Sequence, residues 1–289
     1  MTATTLDLQP VDACFGATVR GVDLRSLDDA TWAAIYDAWI EHALLIFPGQ
    51  FLTKDEQNAF AQRFGELEFP ATQISNIGRD GKVHFEPGDD VVKSLRGNEG
   101  WHHDSTYMPR QAKGAVFTAE IVPSAGAATG FADMRAAYEA LDDEMRAFLA
   151  DKTAYHSLNY SQGRKGYLPS KKNADGNYAG YGYDQPPYLR PLVKIHPVTG
   201  RPNLCIGRHA HNIVGMDPDE STALLDRLVD EACRAPRIYH HEWTVGDAIV
   251  WDNRRLLHRA TPFDLSEPRR MWHTRIAGEA DSELALNAA

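Results

Sequence analysis

The apolar residues of this chain come in short runs, and that restricts what it can fold into. "GAVFTAEIV" (114–122), "LVKIHPV" (192–198), "PNLCIG" (202–207), "DAIVWDN" (247–253) and "RRMWHTRIAG" (269–278) are strand-length and rich in β-formers. "GATVRGVDL" (16–24) alternates between glycine breaks, and "ALLIFPG" (43–49) is an apolar run closed by Pro-Gly. Helical periodicity fills only the gaps. Trp32, Ile35, Tyr36, Trp39 and Ile40 fall on one stripe, with Ser26 as a start signal. Further helices are expected over 53–67, with Thr53 as N-cap, over 134–152, and over 217–234, with Asp217 or Asp219 near its start. Many short strands with helices outside them predict a mostly β fold with helical cover, a sandwich or barrel in a single domain over 1–289.

Residues 157–190 break the pattern. They are rich in Tyr, Gly, Lys and Asn and poor in aliphatics. A structureless stretch of this length inside a domain is expected to be a lid or binding loop.

Charge and cysteine content exclude several functions. The formal net charge is −10, which argues against a phosphate-binding surface and so against a nucleic-acid partner. Cys14, Cys205 and Cys233 are odd in number, widely spaced and without a CxxC, so they predict buried thiols in a reducing compartment rather than disulfides or a thiolate zinc site. The start "MTATTLDLQP" has neither a basic nor an apolar segment of a signal peptide, and no run reaches the ~18 apolar residues of a membrane span. The cytoplasm is the expected compartment.

The chemistry is concentrated in a few motifs. In "GWHHDSTYM" (100–108), a local strand would turn His102 and Asp104 to one face and His103 to the other. One imidazole and one carboxylate suit Fe(II), Mn(II) or Zn(II) better than Ca or Mg. HxD alone is common, so a third ligand is needed. His258 in "VWDNRRLLHRATPFD" is the best placed, at a strand end 154 residues after Asp104, although His84, His156, His196, His209, His211, His240, His241 and His273 compete. If 269–277 is one strand, Arg269, Met271, His273 and Arg275 share a face. That face is either exposed to solvent or lines a pocket for anions.

"WHHDSTY", "TGFADM", "VWDNRRLLHRA" and "PRRMWHTRIAG", in this order, make the chain resemble the taurine/2,4-dichlorophenoxyacetate dioxygenases, a family of Fe(II)/2-oxoglutarate enzymes. The likeness runs from "GATVRGVDL" to "RIAG". Within the family it is strongest to the phenoxypropionate (dichlorprop) type of aryloxyalkanoate dioxygenase, through "HALLIFPGQ", "DSTYMP", "FADMRAAY", "YGYD", "IGRHAH" and "APR".

The resemblance implies a double-stranded β-helix, or jelly roll, with Fe(II) held by His102, Asp104 and His258. The open positions would take 2-oxoglutarate and O2, with Arg269 and Thr129 gripping the far carboxylate of the cosubstrate. Trp251 would pack at the metal-bearing strand. Some members carry a substrate-binding Arg where this chain has His273. Arg275, with His273, is therefore expected to meet the substrate anion, with Asn98, Arg208 and His209 as further contacts. The implied reaction hydroxylates an aryloxyalkanoate, a small carboxylate, beside its ether oxygen. The products are a phenol, a 2-oxo acid, succinate and CO2, and no protein general base is needed. A homo-oligomer is expected, with neither nucleic acid nor membrane as partner. A sulfonate, an alkyl sulfate or a natural aromatic acid is the alternative substrate. A non-oxygenase metal-binding jelly roll, a hydrolase or an acid sensor is the remote one. His102 substitution should abolish metal binding and His103→Ala should keep it.

Overall fold

The structure is a computed structural model that describes residues 5–172, 178 and 180–288. The chain begins with β1 (Asp7–Pro10), β2 (Ala17–Arg20), α1 (Asp29–His42), β3 (Leu44–Phe47), α2 (Lys54–Gln62), β4 (Leu67–Ser75) and α3 (Asp90–Gly97). It continues through β5 (Ala112–Ile121), β6 (Thr129–Asp133), α4 (Met134–Glu139), α5 (Asp143–Leu149), β7 (Thr153–His156) and α6 (Leu158–Lys165). Next come β8 (Tyr188–Pro191), β9 (Val193–Ile195), β10 (Pro202–Leu204), β11 (Ala210–Ile213) and α7 (Pro218–Ala232). The last part holds β12 (Ile238–His241), β13 (Ala248–Asp252), β14 (Leu256–Ala260), β15 (Arg270–Ala277) and α8 (Ala280–Glu283).

The strands form a seven-stranded sheet ordered β1-β2-β3-β13-β5-β15-β4 and a three-stranded sheet ordered β12-β6-β14, with two smaller sheets, β11-β7-β8 and β10-β9. The first two make a jelly roll. Phe117, Trp251 and Met271 from the large sheet meet Phe131 and Leu256 from the small one in a shared core. On the outer face of the large sheet, Ile35 and Trp39 of α1 and Phe60 of α2 pack over Leu45, Phe47, Val116 and Val250. Fully burying a side chain of this size stabilises by roughly 1.5–3 kcal/mol. Behind the small sheet, Ala132 and Leu257 pack against Leu225 and Leu228 of α7.

Local signals account for most element ends. Thr53 and Glu56 form a capping box at the start of α2, as expected. Asp217 caps α7 by accepting from the Asp219 and Glu220 amides. Three expectations are corrected. Helix α1 starts at Asp29, because Asp28 rather than Ser26 accepts from Thr31 N–H. The helix expected over 134–152 is two helices, because Asp142 caps a new one. The 157–190 stretch is not structureless: Ser157 caps α6, left-handed Gly166 ends it, and β8 follows. Residues 173–177 and 179 of that stretch lie outside the described residues. All three cysteines are free, but only Cys205 is fully buried and Cys14 is exposed.

Candidate metal centre

The centre forms where the small sheet meets a turn. His258 sits mid-strand in β14, opposite Phe131 of β6. His102 is not in a ladder strand, as the alternation argument assumed. It makes one isolated antiparallel bridge to His258, with His102 N–H donating to His258 O at 3.0 Å and the reverse bond at 2.8 Å. Asp104 then begins a turn, and Ser105 adopts a left-handed φ of 58° that bends the chain sharply. Asn253 clamps the turn. Its Oδ1 accepts from Asp104 N–H at 2.8 Å, and its Nδ2 donates to Asp104 O at 3.0 Å and Ala112 O at 2.7 Å. His103 points away and donates from Nδ1 to Asn253 O at 2.7 Å. His102, Asp104 and His258 are all buried, and their ligand atoms lie within 4.8 Å of one another.

Their protonation suits a cation. His102 donates from Nδ1 to Gly100 O at 2.7 Å, which leaves the Nε2 lone pair free. Burial, with the Arg208 guanidinium nearby, holds His102 well below the usual histidine range. Burial draws His258 down to about 4. Both rings are therefore neutral, as ligands must be. Burial works against the Asp104 charge, but the Arg275 guanidinium, with the His273 ring beside it, outweighs it and keeps the carboxylate well below its ordinary value. Its Oδ1 accepts from Arg275 Nη2 at 2.8 Å. Its Oδ2 is buried with no hydrogen-bond partner among the described residues, 3.7 Å from His258 Nε2. A buried, unpartnered carboxylate oxygen beside two neutral imidazoles fits a divalent cation.

A cavity of about 820 Å³, counting the part open to solvent, reaches the three residues. Its wall includes Thr129, Trp251, Arg269, His273 and Arg275, together with Asn98, Leu95, Phe263 and Leu265. Among the described residues none of this lining comes from 157–190. Arg269, at the head of β15, is buried and has no acidic partner among the described residues. Among the described residues its side chain makes one bond, a long 3.5 Å to Ala127 O, and burial draws it down to about 10. Thr129 Oγ1 accepts from Trp243 Nε1 at 2.9 Å, which frees its own proton to donate into the cavity. Trp251 stacks on His273 with planes 9° apart and packs 4.9 Å from the His258 ring.

On the His102 side, Gly207 has a φ of +119°, and a Cβ there would lie 3.0 Å from Trp101 O and 3.3 Å from His102 Cα. Only glycine lets the chain pass this close. Arg208 follows, its N–H donating to Trp101 O at 2.8 Å. Among the described residues its side chain makes one weak hydrogen bond, 3.3 Å to Gln162 Oε1, and its Nε has no partner; burial draws it down to about 10. The His209 ring stands edge-on to His102 at 5.7 Å, with Nδ1 on Ser161 Oγ at 2.9 Å and Nε2 unpartnered among the described residues. Asn98 ends α3, and its carbonyl accepts from Ala260 N–H at 2.8 Å.

Arg275 is the departure. Its guanidinium reaches the cavity wall but is spent on Asp104, which competes with the expected role at a substrate anion. His273 lies with Nε2 3.4 Å from Asp104 Oδ2. Sequence reasoning missed Asn253, whose only signal was the Asp-Asn turn after an apolar strand, and Glu68 and Tyr181, which had none.

The family profile described as "Taurine catabolism dioxygenase TauD, TfdA family" matches residues 6–276. The chain is 59% identical over 282 residues to the (S)-phenoxypropionate/alpha-ketoglutarate-dioxygenase of Sphingobium herbicidovorans, covering 97% of this chain and 98% of that one. It is 54% identical to the protein of the same description from Delftia acidovorans, over 97% and 98% of the two chains. Among solved structures, AAD-2 in complex with Mn(II) and N-oxalylglycine superposes with a TM-score of 0.87 at 36% identity, covering 95% of this chain and 98% of that one.

Proposed function

Because this chain belongs to the taurine catabolism dioxygenase (TauD, TfdA) family, we propose that it is a dioxygenase for aryloxyalkanoates of the phenoxypropionate type. It depends on Fe(II), 2-oxoglutarate and O2. His102, Asp104 and His258 would hold the metal. The observation that carries the rest is two guanidiniums without acidic partners among the described residues: Arg269, in the wall of the metal-site cavity, and Arg208, which follows Gly207 on the His102 side and lines the adjoining cleft rather than that cavity. The reaction brings two carboxylates to the site, one from the cosubstrate and one from the substrate. Arg269, with the free Thr129 proton, grips the first; Arg208 and His209 grip the second. A guanidinium held out of water gains most from a bidentate carboxylate partner.

When bound, iron with 2-oxoglutarate and O2 supplies oxidative decarboxylation to succinate and CO2, coupled to hydroxylation of a C–H bond. The protein's residues do the positioning. Anchoring each acid at its own guanidinium would fix which carbon lies at the centre. Leu95, Phe263 and Leu265 offer an apolar wall to the aryl group. Hydroxylation beside the ether oxygen makes a hemiketal, which releases a phenol and a 2-oxo acid without a protein base. The described part of 157–190 supports the site from behind Asp104, through Tyr181. No helix among the described residues is long and apolar enough to cross a membrane. Action in the cytoplasm as a homo-oligomer, without nucleic acid or membrane, belongs to the same reading.

A substrate panel tests it, with both enantiomers of phenoxypropionates, phenoxyacetates, sulfonates and alkyl sulfates, read out by succinate and phenol together. Equal amounts of phenol and succinate from an aryloxy acid are expected. Turnover confined to a sulfonate or sulfate ester would move the substrate class. Absence of a visible band on anaerobic addition of Fe(II) and 2-oxoglutarate, with no succinate formed in air, would remove the enzyme.

A further inference from the structure

Arg275 is built into the fold to hold one oxygen of Asp104. The β15–β4 ladder slips its register on both sides of Arg275. Such irregularities re-aim a side chain. Nη2 donates to Asp104 Oδ1 at 2.8 Å, while Nη1 donates to Ser105 Oγ at 3.0 Å and to Tyr181 Oη at 3.3 Å. The proton accounting of these hydroxyls closes on Glu68. Ser105 Oγ donates to Glu68 Oε2 at 2.8 Å, and Tyr181 Oη donates to Glu68 Oε1. The two hydroxyl oxygens also lie 3.0 Å apart. With both protons directed to Glu68, neither donates to the other, and Arg275 is the donor they face. The guanidinium also lies over the Phe69 ring, 4.7 Å from its centroid, and 5.4 Å from that of Tyr181.

Asp104 consequently has one oxygen occupied and one free. If both were free, the second could take a coordination position that the cosubstrate needs. We propose that Arg275 is a positioning residue that withholds Asp104 Oδ1 from the metal, and that Glu68 and Tyr181 hold the guanidinium in that pose. This rests on the reading of His102, Asp104 and His258 as metal ligands.

Anaerobic titration of the full-length metal-free protein with Co(II), then with 2-oxoglutarate, tests it through the visible Co(II) spectrum. Arg275→Met should take up Co(II) within a few-fold of the wild-type affinity. Its spectrum should already differ before 2-oxoglutarate is added, and it should bind 2-oxoglutarate roughly tenfold or more weakly. Arg275→Lys should recover much of that loss. Tyr181→Phe should shift both readouts in the same direction by a few-fold, and it carries the test if Arg275→Met does not fold. Wild-type spectra and 2-oxoglutarate affinity in both Arg275→Met and Tyr181→Phe would overturn the proposal. So would a defect confined to the KM of the aryloxy acid, which would return Arg275 to the substrate. A wild-type protein that takes up no Co(II) would instead remove the metal site on which the inference stands.

Discussion

On the His258 side of the centre, the groups proposed to bind the cosubstrate stand at the ends of strands. Arg269 leads into β15, its N–H donates to Asn76 Oδ1 at 2.7 Å and its carbonyl accepts from Ser75 Oγ at 2.6 Å. Thr129 opens β6 opposite His241 of β12 and Ala260 of β14. On the His102 side, Arg208 and His209 sit between β10 and β11, reached through a left-handed glycine and steadied by α6 through Gln162 and Ser161. Both sides carry a guanidinium without an acidic partner among the described residues, but Arg269 is held beside the end of a strand by the Asn76 and Ser75 side chains, and Arg208, in the adjoining cleft, by a loop. The sheet-built side suits a ligand that never changes, the cosubstrate. The loop-built side can change its acid without disturbing a ladder, which suits the variable partner.

The division is broken most directly at Arg269. Arg269→Leu leaves a buried carboxylate of the cosubstrate unpaired, a loss of about 2–5 kcal/mol. The KM for 2-oxoglutarate should rise roughly thirtyfold or more, with the KM for the aryloxy acid changed little. Equal rises in both would mean that the two walls are not separate sites. Arg208→Leu should do the converse at smaller size, because the side chain is only partly buried. Losing a hydrogen bond to a charged group, about 1.5–3 kcal/mol, should raise the KM for the aryloxy acid by roughly ten- to a hundredfold. Steady-state kinetics with each substrate varied in turn separates the two, and a 2-oxoglutarate defect in Arg208→Leu would sink the assignment of that wall.

The two sides also differed in how far they could be read before folding. Where the signal was local, it held. The apolar run 43–49 became β3, the Thr53 box started α2, and 247–253 became β13. Strand β4, "LEFPATQIS", escaped because it is an edge strand that carries Pro70 and polar residues, so it shows no clean alternation. In the site, residue type and motif order pointed to His102, Asp104 and His258, and those three do converge. The reason given for His102 and Asp104, a strand, was not the one the fold uses. The partner of Arg275 was illegible for a physical reason. It depends on a register slip in one ladder and on an aspartate 171 residues away in sequence. Spacing along β15 put Arg275 on the pocket face, but it could not say that Asp104 would already be waiting there.

The smallest test asks whether the sheet-built side needs its hydroxyl at all. Thr129 Oγ1 has two possible duties, to accept from the buried Trp243 Nε1 and to donate to the cosubstrate. Thr129→Val removes both while nearly keeping the shape. Loss of one hydrogen bond, about 0.5–1.5 kcal/mol, should weaken 2-oxoglutarate binding by roughly two- to tenfold. The orphaned indole should separately lower the melting temperature of the metal-free protein. Thr129→Ser retains the oxygen and should stay near wild type in both. A lower melting temperature with unchanged 2-oxoglutarate affinity would give the hydroxyl to Trp243 alone. Arg269 would then be the sole anchor on that wall, and the sheet-built side would hold its acid as the loop-built side does, around a single guanidinium.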